Sequence, residues 1–264
     1  MMRTTDSRKP VLALCGKGGV GKTAVASLLA RAMLGAGIRP LLLIDADPSG
    51  GLVSAIGEKV SETLAGVREK LIRAAAGAGD AAKSKLADRL DYLVLEALLE
   101  RQDYSVLAMG FAREKGCFCP ANALLREAID LLAGPFAAVI IDAEAGLEQI
   151  HRQVTRRVSN VVVVMDGSQR SVDVARLIRD IVGKDMVCGV TNRVSRNAEQ
   201  RLPEGIELLG SIPEDDMLRR FDAGGRSLWD LPRDNPAMRA AAEIAEKLFS
   251  PAIPKECSAG LQPR

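Results

Sequence analysis

The chain has 264 residues, room for one large domain or two small ones, and its 47% hydrophobic content supplies a substantial core. Its net charge of +2, from 36 Lys and Arg against 34 Asp and Glu, lacks the basic footprint of a nucleic-acid binder or a polybasic membrane anchor. No apolar run approaches the ~18–20 residues of a membrane span. The polar, basic Met1–Pro10 stretch lacks the apolar centre of a secretory signal, so a cytoplasmic protein is expected. In that compartment five cysteines read as thiols or metal ligands rather than disulfides.

The first predicted strand, Val11–Cys15, runs into Gly16-Lys17-Gly18-Gly19-Val20-Gly21-Lys22-Thr23, and an Ala- and Leu-rich helix follows from Ala24 to Leu34. Strand, glycine turn and helix are the context of a phosphate-binding loop, and the pattern G-x-x-x-x-G-K-T is complete. Glycines let the backbone turn its N–H groups onto phosphate oxygens, and the helix N-terminus adds partial positive charge. The segment Gly16–Ala24 is therefore the expected nucleotide cradle. Lys22 reaches the terminal phosphates and the Thr23 hydroxyl binds Mg²⁺.

A fully apolar strand, Ile38–Ile44, ends in Asp45-Ala46-Asp47-Pro48-Ser49-Gly50-Gly51. Separated by one residue, Asp45 and Asp47 point the same way in an extended segment. Asp45 is expected in the Mg²⁺ shell, and Asp47 is expected to orient or activate the attacking water. Residues 60–101 read as a helical insertion of two helices, broken at Gly77-Ala78-Gly79-Asp80. A short strand, Tyr104–Ala108, leads to the loop Met109–Pro120, and a helix spans Ala121–Leu132. The strand Ala137–Ile141 ends at Asp142, which opens the pattern D-x-x-x-G; a carboxylate there holds Mg²⁺ through water. A helix over Leu147–Arg157, a strand over Asn160–Met165 and a helix over Ser171–Val182 follow. Strands at Met186–Thr191 and Ile206–Ile212 then end at Asn192-Arg193 and Pro213-Glu214, and a last helix covers Pro236–Phe249. Strands alternating with helices predict a doubly wound, mainly parallel α/β sheet in one domain over residues 10–250, with a tail over 251–264.

The loop also holds Gly116-Cys117-Phe118-Cys119-Pro120. Two thiols one residue apart can contact one metal, but a tetrahedral thiolate site needs four. A symmetric dimer brings a second Cys-x-Cys and completes the set. Cys15 and Cys188 sit in apolar strands and read as small buried hydrophobes.

Lys17, directly after the first glycine, makes Lys-Gly-Gly-Val-Gly-Lys-Thr resemble the deviant Walker A motif of the MinD/ParA/nitrogenase-iron-protein class. Met109-Gly110, Gly116–Pro120, Asn122, Leu125-Arg126 and Asp142-x-Glu144-Ala145-Gly146-Leu147-Glu148 further resemble the CooC-type nickel-insertion ATPases of carbon monoxide dehydrogenase and acetyl-CoA synthase. The resemblance implies a P-loop ATPase whose nucleotide-induced homodimer brings Lys17 to the partner's phosphates in trans. It implies Ni²⁺ or Zn²⁺ on Cys117 and Cys119 between protomers, and a client nickel enzyme rather than nucleic acid or membrane. It also implies ATP rather than GTP, with Asn192 reading the base and Arg193, Pro213 and Glu214 at the adenine edge. Two departures stand out: Ser49-Gly50-Gly51 replaces the family's asparagine-bearing segment, and Glu148-Gln149 replaces Glu-His, leaving the single histidine at His151 on a helix surface. Two other readings share the loop: a reductase of the nitrogenase-iron-protein kind with an iron–sulfur cluster, and a MinD/ParA-type positioning ATPase.

Overall fold

Four strands carry almost unbroken apolar runs: β1 (Val11–Cys15), β2 (Leu41–Asp45), β5 (Ala138–Asp142) and β6 (Asn160–Met165). Strands of this kind are stable only when both faces are covered. The computed structural model, which describes residues 9–75, 90–111, 119–143, 158–194 and 202–249, covers both with helices. The sheet has eight strands in the order β3-β4-β2-β5-β1-β6-β7-β8, the others being β3 (Leu99–Glu100), β4 (Tyr104–Ala108), β7 (Val187–Val194) and β8 (Glu207–Pro213). All neighbours pair in parallel except β3, which runs antiparallel to β4. The single α/β domain expected from the sequence is present.

Alternation along each strand divides the core into two layers. Leu12, Leu14, Leu41 and Leu43 face α1 (Lys22–Gly35), α2 (Gly51–Ala55) and, near the C-terminus, the helix Pro236–Phe249. Ala13, Leu42, Ile44 and Ile141 face the other layer, built from α3 (Leu64–Ala75), α4 (Leu90–Glu96), α5 (Cys119–Leu132) and α6 (Gln169–Val182). Each fully buried Leu or Ile contributes roughly 1.5–3 kcal/mol of transfer free energy. Two last helices, α7 (Asp216–Ala223) and α8 (Pro236–Phe249), complete the described chain.

Two elements were not expected. The β3 strand is two residues long, too short to show an alternation, and α2 forms where a turn cluster was read at Ser49-Gly50-Gly51. The predicted Ala121–Leu132 helix begins two residues earlier, at Cys119. Cys117, the Leu147–Arg157 helix with His151, the Gly77–Asp80 break and the 251–264 tail lie outside the described residues. Among the described residues no helix is long and apolar enough to cross a membrane.

Candidate active site

Because β1, β2, β5, β6 and β7 are parallel, their carboxyl ends share one edge, where ligands bind in open α/β sheets. The phosphate loop emerges from β1 there. Gly16 has φ 141°, and a Cβ on it would lie 2.4 Å from the Val164 carbonyl oxygen, so only glycine fits against β6. Gly21, at φ 86°, forms the N-cap of α1 with no side-chain cap. Its helix N-terminus thus keeps its partial positive charge available to an anion.

Both lysines of the loop have intramolecular partners. The Lys22 ammonium donates to the carbonyls of Gly16 at 3.3 Å and Lys17 at 3.4 Å, folded back over its own loop. The Lys17 ammonium instead pairs with Asp166 Oδ2 at 3.1 Å, just beyond β6. Asp166 Oδ1 accepts from the Ser168 N–H and hydroxyl. Burial opposes the Asp166 carboxylate, yet hydrogen bonds from Ser168 and Ser171 together with Lys17 outweigh it and hold its pKa well below the usual range. Asp166 was not singled out from the sequence, although an Asp directly after an apolar strand, with Ser two residues on, repeats the Asp47-Pro48-Ser49 pattern.

The acidic half comes from β2 and β5, where Asp45 and Asp142 are register partners on adjacent strands. Asp45 is fully buried; its Oδ2 accepts the Val53 N–H at 2.9 Å and its Oδ1 the Asp47 N–H at 3.3 Å. Burial pushes its pKa up to about 7, the Val53 hydrogen bond opposes this, and the nearby Asp142 charge adds to it. Both Asp45 oxygens therefore serve the backbone, tying α2 and Asp47 to the strand end. Asp47 does not share an extended segment with Asp45: the chain turns there, Gly50 N–H donating to the Asp47 carbonyl. Asp47 is half-buried, and its Oδ1 accepts from the N–H of Ser49 at 2.8 Å and its hydroxyl at 2.7 Å.

Asp142 tests the fit to a cation. It is 2% exposed, and its Oδ2 is a buried oxygen with no hydrogen-bond partner. Burial raises its pKa to about 6, against the Thr23 hydroxyl hydrogen bond and the Lys22 charge, which lower it. A buried, orphaned carboxylate oxygen beside a threonine hydroxyl suits Mg²⁺, which binds one or two protein oxygens and takes the rest from phosphate and water. No cluster of three or more His, Cys, Asp or Glu able to hold a metal by itself occurs among the described residues.

Asn192 and Arg193 sit at the end of β7 and grip the loop itself. The Asn192 amide donates to the Val20 carbonyl at 2.9 Å, and Arg193, in the left-handed conformation at φ 59°, donates to the Gly19 carbonyl at 3.1 Å. A Cβ on Gly21 would lie 2.4 Å from Asn192 Nδ2, so the amide rests directly on the loop. Pro213 ends β8 on the same edge, and the exposed Glu214 pairs with Arg219 at 3.5 Å.

The sequence matches the CobQ/CobB/MinD/ParA nucleotide-binding-domain family over residues 11–228. The chain belongs to that family. Membership, with the complete phosphate loop on this edge, makes it an ATPase of the MinD/ParA class. It is 34% identical over 263 residues to the uncharacterized ATP-binding protein MJ0685 of Methanocaldococcus jannaschii, covering 91% of this chain and 98% of the relative. To the carbon monoxide dehydrogenase accessory protein CooC of Rhodospirillum rubrum it is 32% identical, over 88% of this chain and 92% of that one. The fold matches the septum site-determining protein MinD of Pyrococcus horikoshii, solved with Mg-ADP, at a TM-score of 0.64 and 20% identity over 92% and 96% of the two chains.

Proposed function

We propose that this family member is an ATP-driven metallochaperone that dimerises and delivers Ni²⁺, or Zn²⁺, to a nickel enzyme of the carbon monoxide dehydrogenase type. The observation that carries this reading is the 32% identity to CooC across nearly the whole of both chains, in a chain that carries Cys117 and Cys119. Topology supports it: β4 runs parallel to β2, so Met109 and Gly110, which follow it, leave the sheet at the phosphate-loop edge. Two thiolates per protomer leave a soft metal two ligands short, and a second copy supplies them.

The cycle uses the residues as they are placed. Backbone N–H groups of Gly16–Ala24 receive the phosphates, and Lys22 exchanges its loop carbonyls for phosphate oxygens. Thr23 and Asp142 would hold Mg²⁺, which neutralises phosphate charge when bound. Asp45 acts one step back, fixing the backbone N–H of Asp47 so that the Asp47 carboxylate can orient the attacking water. Lys17 leaves Asp166 and reaches the partner's phosphates, so hydrolysis waits for the dimer. Asn192, Arg193, Pro213 and Glu214 border the adenine side, Asn192 and Arg193 through their hold on the loop. Metal and ATP then favour the same closed state and raise each other's affinity.

The test is metal content and mass of the purified protein with and without Mg-ATP. About one Ni²⁺ or Zn²⁺ per dimer is expected, lost in a Cys117→Ala/Cys119→Ala variant that still binds ATP. Full metal retention by that variant would remove the site. A second reading, an iron–sulfur cargo on the same thiols, draws on 27% identity to the bovine cytosolic Fe-S cluster assembly factor NUBP2 over 92% of this chain. Anaerobically purified protein would then be brown rather than colourless.

A further inference from the structure

Helix α1 runs from the phosphate loop to a second concave surface at its other end, about 21 Å away for its 14 residues. There the last turns of α1 and one face of α8, from Met238 to Glu246, enclose a cleft of about 650 Å³, within the size range of ligand sites. Four guanidinium groups line it: Arg31, Arg39, Arg233 and Arg239. Two carboxylates line it with them, Asp103 and Glu246, and Asp103 is already taken by Arg39 at 3.0 Å, while Asp230 acts on Arg31 from outside the lining. The cleft thus gathers an excess of two positive charges, as large as the net charge of the whole chain.

These arginines are unequal. One arm of Arg31 is fixed on the Leu231 carbonyl at 2.6 Å, which aims a half-buried guanidinium into the cleft. Burial lowers its pKa, and the Arg233 charge adds to this against Asp230. The side chains of Arg233 and Arg239 make no hydrogen bond or ion pair among the described residues. Gathering like charges costs free energy that an anion recovers, most effectively through bidentate guanidinium–carboxylate or guanidinium–phosphate pairs. Between the arginines the surface is apolar, made of Ala32, Leu34, Gly35, Ala36, Met238 and Ala242, and the small residues among them leave room for side chains of a bound segment.

We propose that this cleft docks an acidic segment of a partner protein, its carboxylates paired with Arg233 and Arg239 and its small apolar side chains on the alanine–glycine floor. A nucleic-acid strand fits less well, because no aromatic side chain lines the cleft for base stacking. The proposal is independent of the metal reading and stands or falls without it.

The probe is a short fluorescein-labelled peptide of glutamate, alanine and leucine, followed by anisotropy with the full-length protein. Binding should weaken as salt rises, and a glutamine-for-glutamate peptide should not bind. An Arg233→Glu/Arg239→Glu variant should lose about tenfold or more in affinity, and Arg233→Gln/Arg239→Gln should fall between it and the native protein. Mg-ATP affinity, set at the far end of α1, should be unchanged in both variants and reports an intact fold. Equal binding by native and charge-reversed protein overturns the site. So does a DNA duplex or tripolyphosphate that binds the cleft more tightly than the peptide.

Discussion

On one side of the phosphate site the loop is already held: Asn192 and Arg193 fix the carbonyls of Val20 and Gly19, and Lys22 lies over its own turn. On the other side Asp142 keeps a buried oxygen without a partner, and Asp45 and Asp142 are both pushed towards neutrality by burial. The loop half is preorganised, and ordering it costs little when nucleotide arrives. The acidic half is frustrated by itself and gains from a cation. In the proposed cycle, selectivity for the magnesium-bound nucleotide comes from the unfinished half, and tight phosphate binding from the finished one.

Lys17, held on Asp166, is the loop cation that the proposed cycle sends to the partner's phosphates, so its removal separates binding from turnover. Lys17→Ala should leave Mg-ATP affinity within a few-fold of native while turnover falls about 10³-fold, the scale of a lost cation supplied in trans. Sedimentation should show a monomer with Mg-ATP. A variant that still dimerises and turns over normally would place Lys17 outside the chemistry. Next in size, Asp142→Asn replaces the orphaned oxygen side with a neutral amide. Mg-ATP affinity should fall about tenfold to a hundredfold, while affinity for ATP measured in chelator should hardly change. Equal losses with and without Mg²⁺ would assign Asp142 to the loop half instead.

The two halves were not equally legible in the sequence. Gly16–Thr23 is a contiguous pattern whose glycines are required by local backbone geometry, so it could be read before any fold was known. The ends of β2 and β5 were also legible, since apolar runs broken by Asp45 and Asp142 mark strand termini. What each side chain does there depends on neighbours far away in the chain. Nothing near Asp45 says that Val53 and Asp47 will occupy both of its oxygens, and nothing near Lys17 points to Asp166, 149 residues on. Asn192 illustrates the same point: the strand was expected to stop at Thr191, but β7 runs on through Asn192 to Val194 beside β8, and the contact with Val20 needed the sheet order.

Acidity separates the halves further. Asp45 and Asp142 carry folded-state pKa values of about 7 and about 6, above the 3.8 of a free Asp. The folded state therefore binds more protons than the unfolded chain between about pH 4 and 7. Stability is fully present below pH 4 on this account and is lost as pH rises through 6 and 7, by up to about 1.4 kcal/mol per pH unit for each group. Thermal melts in chelator should show this fall, Asp142→Asn should flatten it, and Mg-ATP should restore stability most at the alkaline end. A native profile that rises from pH 5 to 8 would contradict the raised values.

A small effect decides between two roles for one residue. Asn192→Ala removes a single neutral hydrogen bond to the Val20 carbonyl, worth about 1 kcal/mol net, and opens space beside Gly21. If Asn192 acts by holding the loop, ATP and GTP should both bind about fivefold more weakly, with the ratio between them unchanged. If it reads adenine, ATP should weaken alone and the preference for ATP should shrink. Titrating both nucleotides against the variant separates the two, and Arg193→Ala supplies the control. That residue tethers the loop one position earlier, at Gly19, so only the uniform loss is expected from it, and a smaller one because its side chain is exposed.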